Sequence, residues 1–168
     1  FRYVELVGLN EETKEMIVND LDSVKGWAIQ QPFDENDSYF EASGSDEALL
    51  LNILYDFCKY TIKATNQDVF VDSQARERAP YEGDLLVNSN TSYSIHSNYS
   101  LARHSNEWLI DNPTWPNDYT LFSIEMSYWD FMYTGNSDSI EKYFNALEKK
   151  LTTKVVYEDE KTGLIYVD

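Results

Sequence analysis

Hydrophobic positions change their spacing along the chain, and the change divides it in two. Through Phe1-Arg-Tyr-Val-Glu-Leu-Val7 apolar and polar residues alternate loosely as far as Gly8, the period of a strand. Met16-Ile-Val18 suits a strand as well as a short helix capped by Asn10, and the pattern leaves both open. Trp27-Ala-Ile29 and Tyr39-Phe-Glu-Ala42 predict further short strands around the acidic turn Phe33-Asp-Glu-Asn-Asp37. Residues 1–44 therefore read as a β-rich segment. From Ser45 the period lengthens. Ser45 is a good N-cap, and Asp46 and Glu47 fall in the first turn, where the helix dipole favours acids. Leu50, Ile53, Leu54, Phe57, Thr61 and Ala64 then recur at helical spacing to about Asn66, which predicts a face that packs inward.

A second helix is predicted from Gly83 to about Asn106, against the poor propensity of its Gly, Ser and Asn residues. Asp111-Asn-Pro-Thr-Trp-Pro116 is a proline-punctuated loop that stops it. Asn117 caps a third helix, Asp118 to Thr134, with Gly135 as its C′ residue. Leu121 to Tyr133 is apolar almost all the way round, which predicts burial on most sides. Asp138 with Glu141 resembles the capping box of a fourth helix, whose stripe is Ile140, Phe144, Leu147 and Leu151. Val155-Val-Tyr157 and Leu164-Ile-Tyr-Val167 then predict a small C-terminal β-hairpin. The fold class is mainly α, with a β-rich N-terminal lead, and the helical domain runs over residues 45–168.

Composition narrows the partners. A chain of 168 residues with 42% hydrophobic content holds one domain with a real core. A net charge of −17 argues against nucleic acid, whose phosphates need Lys and Arg, and against an anionic membrane surface. No run is apolar and long enough to span a bilayer, and no leader or targeting tail is read, which leaves the compartment open. Thirteen Tyr and four Trp supply flat faces with polar tips, which suit surfaces that meet sugars or other amphipathic ligands. Cys58 is the single cysteine, so neither an intramolecular disulfide nor a cysteine-rich zinc site is expected, and its apolar neighbours predict a small buried side chain. His96 and His104 lack metal-ligand spacing and read as structural or surface residues.

The densest chemistry lies in Asp72-Ser-Gln-Ala-Arg-Glu-Arg-Ala-Pro-Tyr-Glu-Gly-Asp84. Asp72, Glu77 and Asp84 are joined by Glu82 as a fourth carboxylate, and Arg76 and Arg78 flank the central glutamate. Glycoside hydrolysis needs one carboxyl group held protonated to meet the departing oxygen and a second to activate water or to attack. A neighbouring carboxylate raises an acid's pKa and an adjacent arginine lowers it; both influences are present here, so geometry must choose the donor. The plainer reading is an Arg–carboxylate network that ties a loop down. A Ca²⁺ site is disfavoured, because the two arginines compete with a cation and the spacing is not that of an EF-hand. No metal and no cofactor are expected. Trp115, between two prolines in a loop, is the aromatic best placed to meet a ligand.

The same run resembles the signature of the bacterial α-L-rhamnosidase family, Asp-Cys/Ser-x-x-Arg-Glu-Arg-x-x-Trp/Tyr-x-Gly-Asp. Asp72, Arg76, Glu77, Arg78, Tyr81, Gly83 and Asp84 fill it with the intervals intact. Phe1 to Glu5, Tyr39 to Ala42 and Thr114-Trp-Pro116 are supporting matches on its flanks. The resemblance implies a partial (α/α) six-hairpin barrel preceded by the end of a β-sandwich, and an inverting glycosidase. By motif position it implies Glu77 as general acid, Asp72, Arg76, Tyr81 and Asp84 as substrate-binding residues and, more loosely, Trp115 as a stacking residue. The ligand implied is a rhamnose-containing carbohydrate. A twelve-helix barrel needs roughly 300 residues, and the family's base lies beyond the matched region. The chain is therefore expected to be an inactive fragment whose open helical faces favour self-association. The alternatives are a related polysaccharide lyase, a hydrolase of another deoxy-sugar, or a non-catalytic carbohydrate-binding or structural module.

Overall fold

Six helices carry the regular structure among the residues described by the computed structural model, which are 5, 7–19, 25–27, 29–73, 75–116, 118–153, 157–159, 161–163 and 165–166. Asn10 resolves the ambiguity of the lead. Its side chain accepts a hydrogen bond from the Thr13 N–H at 2.8 Å and so starts α1 (Glu11–Asn19), with Glu11 and Glu12 in the first turn. Among the described residues α1 packs on no other element.

The β-rich lead is not seen. Most of the run 1–7 lies outside the described residues, while Trp27, Ile29 and Tyr39 to Ala42 belong to no strand. The physical reason lies in where the backbone hydrogen bonds go. The N–H and C=O of Ala42 are both taken by the Asn52 side chain, at 2.8 and 2.9 Å. The ammonium of Lys59 donates to the carbonyls of Glu35 and Ser38, and the Gln31 N–H reaches the Asn66 carbonyl. These backbone groups of Gln31, Glu35, Ser38 and Ala42 bond to the Asn52 and Lys59 side chains and to the Asn66 carbonyl rather than to a neighbouring strand.

Those contacts also turn α2 (Asp46–Thr65). Its Ser45 cap forms as expected, accepting from the Ala48 N–H. Its inward face, however, carries Ala48, Lys59, Ile62 and Thr65, while Leu50, Ile53, Leu54 and Phe57 are 47 to 66% exposed. Cys58, expected to be buried, is exposed with them. The predicted apolar stripe is the wrong face, because Asn52, Tyr55 and Lys59 are the residues that grip the lead.

The helix expected over 83–106 is two: α3 (Glu82–Ile95) and α4 (Ser100–Asp111). His96 turns extended (φ −142°, ψ 142°), its buried ring stacked on Phe33 at 4.9 Å. The Ser97 N–H and hydroxyl both donate to Asp37, and Asn98 Oδ1 accepts from the Ser100 N–H to restart the helix. Side chains that compete for backbone groups break the run. α5 (Tyr119–Thr134) ends on Gly135 in the left-handed region, φ 66°. In α6 (Asp138–Thr153) Glu141 accepts from the Ser137 hydroxyl rather than pairing with Asp138. Leu147 of its stripe is buried and Phe144 and Leu151 are exposed. Beyond it β1 (Tyr157–Glu158) pairs antiparallel with β2 (Ile165–Tyr166); the rest of the expected hairpin lies outside the described residues.

α3, α4 and α5 pack on one another, α6 lies on α4 and α5, and α2 lies on α3. Short connections make α3–α4 and α5–α6 into helical hairpins. Ile62, Phe70, Leu85, Tyr93, Leu101, Leu109 and Met126 build the core. The inward face of α5 is small and polar, with Thr120, Ser123, Ser127 and Asp130 beside Met126, and much of its apolar run faces out. Asn106 satisfies part of that face, donating to the Ser123 carbonyl and the Ser127 hydroxyl at 3.1 and 3.0 Å. The packed pair α3–α5 sets two loops side by side, 66–81 before α3 and 112–118 before α5.

Candidate functional site

The first loop is anchored before it turns. Phe70 and Val71 are buried; the Phe70 N–H donates to Ser105 Oγ at 3.0 Å, and the Val71 carbonyl accepts from Asn88 at 3.2 Å. Asp72 then closes the loop on itself. Its N–H donates to the Ala79 carbonyl and its Oδ1 accepts from the Ala79 N–H, both at 3.0 Å. Within that closure the Arg76 guanidinium pairs with Glu77 and stands 4.0 Å from Asp72. Arg78 sits at φ 52°, left-handed backbone that only a few per cent of non-glycine residues adopt.

Past Pro80 and Tyr81 the chain enters the first turn of α3, where three consecutive residues face three ways. Glu82 is turned away from the pocket and buried. Gly83 meets the Tyr119 ring so closely that an added Cβ would lie 2.8 Å from it. Asp84 faces the pocket.

The second loop supplies the opposite wall through Trp115, Pro116, Asp118 and Tyr119. Between the loops lies a pocket of about 850 Å³, and all six residues singled out from sequence line it: Asp72, Arg76, Glu77, Tyr81, Asp84 and Trp115. An adjoining hollow of about 550 Å³ shares Asp72, Asp84 and Tyr119 and adds Leu86, Val87 and Phe122. Sequence reasoning missed Pro116, Asp118 and Tyr119. The one signal for them was the proline-bounded loop that pointed to Trp115, because nothing local links residue 118 to residue 84.

The carboxyl groups are not equivalent. Burial, and then the charge of Asp72, pushes the Asp84 carboxyl above its ordinary value. Burial pushes Asp72 the same way, but the Ala79 N–H and the Arg76 guanidinium are among the contacts that outweigh it and hold Asp72 low. The Tyr81 hydroxyl is held up by its hydrogen bond to Glu77 and then by burial. One wall thus offers a carboxyl held above its ordinary value beside one held below it, and both walls offer rings: a pairing suited to a polar, uncharged ring with an apolar face. Among the described residues no group of three or more His, Cys, Asp or Glu is placed to hold a metal ion, and Glu82 is not gathered with the other three carboxylates.

Neither curated proteins nor solved structures yield a match to the chain. A family model for the bacterial alpha-L-rhamnosidase 6 hairpin glycosidase domain does match, over residues 36–121. That span is slightly more than half of the 168 residues and contains every residue lining the pocket. With its helical hairpins and this glycosidase-type domain, the chain belongs to the bacterial alpha-L-rhamnosidase six-hairpin glycosidase family.

Proposed function

We propose that the pocket receives the terminal rhamnose of a carbohydrate and that residues 45–168 form the first part of an inverting glycosidase barrel. In this reading Glu77 donates the proton to the departing oxygen, while Asp72, Arg76 and Asp84 hold ring hydroxyls and Tyr81 and Trp115 cover the ring's apolar face. The observation that carries it is the meeting of these six residues, drawn from two loops and the first turn of α3, in one pocket. Arg76 pairs with Glu77 and orients its carboxylate; bound sugar competes for the guanidinium, and Glu77, freed of it, takes up from solvent the proton that it then gives to the leaving oxygen.

A second reading gives the donor role to Asp84. One observation favours it: Asp84 lies where the two hollows join, and its carboxyl is held up by burial and by Asp72. Inversion also needs a carboxylate about 6.5–9.5 Å across the ring to activate water. Asp118 is the pocket's one carboxylate on the facing wall among the described residues. We assign the water-activating role to a group outside this chain, so the 168-residue chain is expected to hydrolyse an aryl α-L-rhamnoside negligibly. Appreciable turnover that disappears in Asp118→Asn would contradict that assignment. In a protein carrying the whole barrel, Glu77→Gln is expected to lower turnover ~10²-fold or more with sugar binding largely kept. Unchanged turnover in Glu77→Gln with a collapse in Asp84→Asn transfers the role to Asp84.

A further inference from the structure

We propose that Glu82 is a positioning residue whose buried carboxylate latches the Trp115–Tyr119 wall of the pocket to the first turn of α3. Glu82 is 0% exposed. Carboxylates are almost never fully buried unless paired, yet among the described residues no cationic side chain lies within ion-pair distance of it. One residue from the other loop takes its place. Oε1 accepts from the Thr114 N–H at 3.1 Å and Oε2 accepts from the Thr114 hydroxyl. As the first residue of α3, Glu82 also lies at the positive end of the helix dipole, which favours its charge.

Two bonds to two oxygens fix the rotation of Thr114 as well as its distance, and Thr114 is the residue before Trp115 and Pro116. The far end of the wall is held by the neighbouring residue, because the Tyr119 ring rests on Gly83. The wall is therefore pinned at both ends to consecutive residues of one helical turn, whose third residue, Asp84, faces the pocket. Trp115 itself is 82% exposed, so its place opposite Asp72 and Asp84 is set by these pins rather than by burial. A buried carboxylate is a costly way to fasten a loop that an apolar pair would hold, and what it adds is direction.

The effect on ligand rests on the sugar-binding reading of the pocket; the latch does not. Both are read in the 168-residue chain from the Trp115 indole N–H resonance, assigned by its loss in Trp115→Phe, and from calorimetric titration with methyl α-L-rhamnopyranoside. Glu82→Gln keeps length and volume but sets an amide donor against a Thr114 donor; Thr114→Val removes the hydroxyl and Thr114→Ser keeps it. Glu82→Gln and Thr114→Val are expected to shift or broaden the Trp115 indole resonance and weaken binding about 10-fold, with Thr114→Ser close to wild type in both. An unmoved indole resonance in Glu82→Gln and Thr114→Val overturns the latch, even if both melt at lower temperature. If Glu82→Gln does not fold, the Thr114→Val and Thr114→Ser pair decides. If the wild type does not bind the rhamnoside, the sugar reading falls while the indole resonance still decides the latch.

Discussion

Asp84 shows how one residue's surroundings become a property of the whole fold. Its carboxyl is held above its ordinary value, first by burial and then by the charge of Asp72. The folded chain therefore keeps this proton to higher pH than the unfolded chain does. Folding loses free energy as pH rises from the unfolded value through the folded one, and the cost is fully present above it. Asp84→Asn removes that cost. It is expected to melt above wild type at pH 7, with the difference fading by about pH 3; thermal melts across that range check it, and a lower melting temperature at pH 7 would contradict it. Asp72 has the opposite sign: its depressed carboxyl stabilises the fold above the unfolded value, and that contribution is lost as pH falls through the folded one. At this scale the first loop was legible in the sequence, because Asp72, Arg76, Glu77, Tyr81 and Asp84 share one short run whose spacing carries the family signature. Asp118, Tyr119 and the Glu82–Thr114 pair were not, because their partners lie across the fold and no local pattern names them.

Among the helices, caps were easier to foresee than faces. Ser45, Asn10 and Gly135 act within a few residues of themselves, so their chemistry is local. Which face of α2 or α5 turns inward depends on the partner, and hydrophobic spacing pointed to the wrong one in α2 because Asn52 and Lys59 bind the backbone of the lead and Tyr55 binds the Ser38 hydroxyl. The break between α3 and α4 was missed for the same reason: Ser97 needs Asp37, far away in sequence, to hold it out of the helix. α5 buries Asp130 against Arg103, whose Nε donates to Oδ2 at 2.7 Å while its Nη2 reaches Thr134 at 3.1 Å. Asp130 is 3% exposed, so losing Arg103 leaves a buried charge without that partner. Arg103→Ala is expected to destabilise the chain by about 3–5 kcal/mol; urea unfolding measures it, and a loss under about 1 kcal/mol would show that the pair behaves as an exposed one.

For the molecule as a whole, the outward faces matter as much as the core. Leu50, Ile53, Leu54 and Phe57 form an apolar stripe along α2 with solvent on it, on a chain of net charge −17. Burying such a stripe favours association and the shared charge opposes it, so salt tips the balance. We expect self-association that grows with ionic strength and is reduced in Ile53→Asp; light scattering that stays monomeric at high protein and salt concentration would count against it. The same architecture brings the 72–84 loop and the 114–119 wall together, and the central claim is that the pocket between them holds a rhamnose ring. The most direct measurement is a two-dimensional NMR titration of the 168-residue chain with methyl α-L-rhamnopyranoside, with methyl α-D-glucopyranoside as control. The account predicts saturable shifts confined to residues 72–84 and 114–119, specific to the rhamnoside and abolished in Asp72→Asn. Shifts of equal size with both sugars, shifts elsewhere, or none would contradict it.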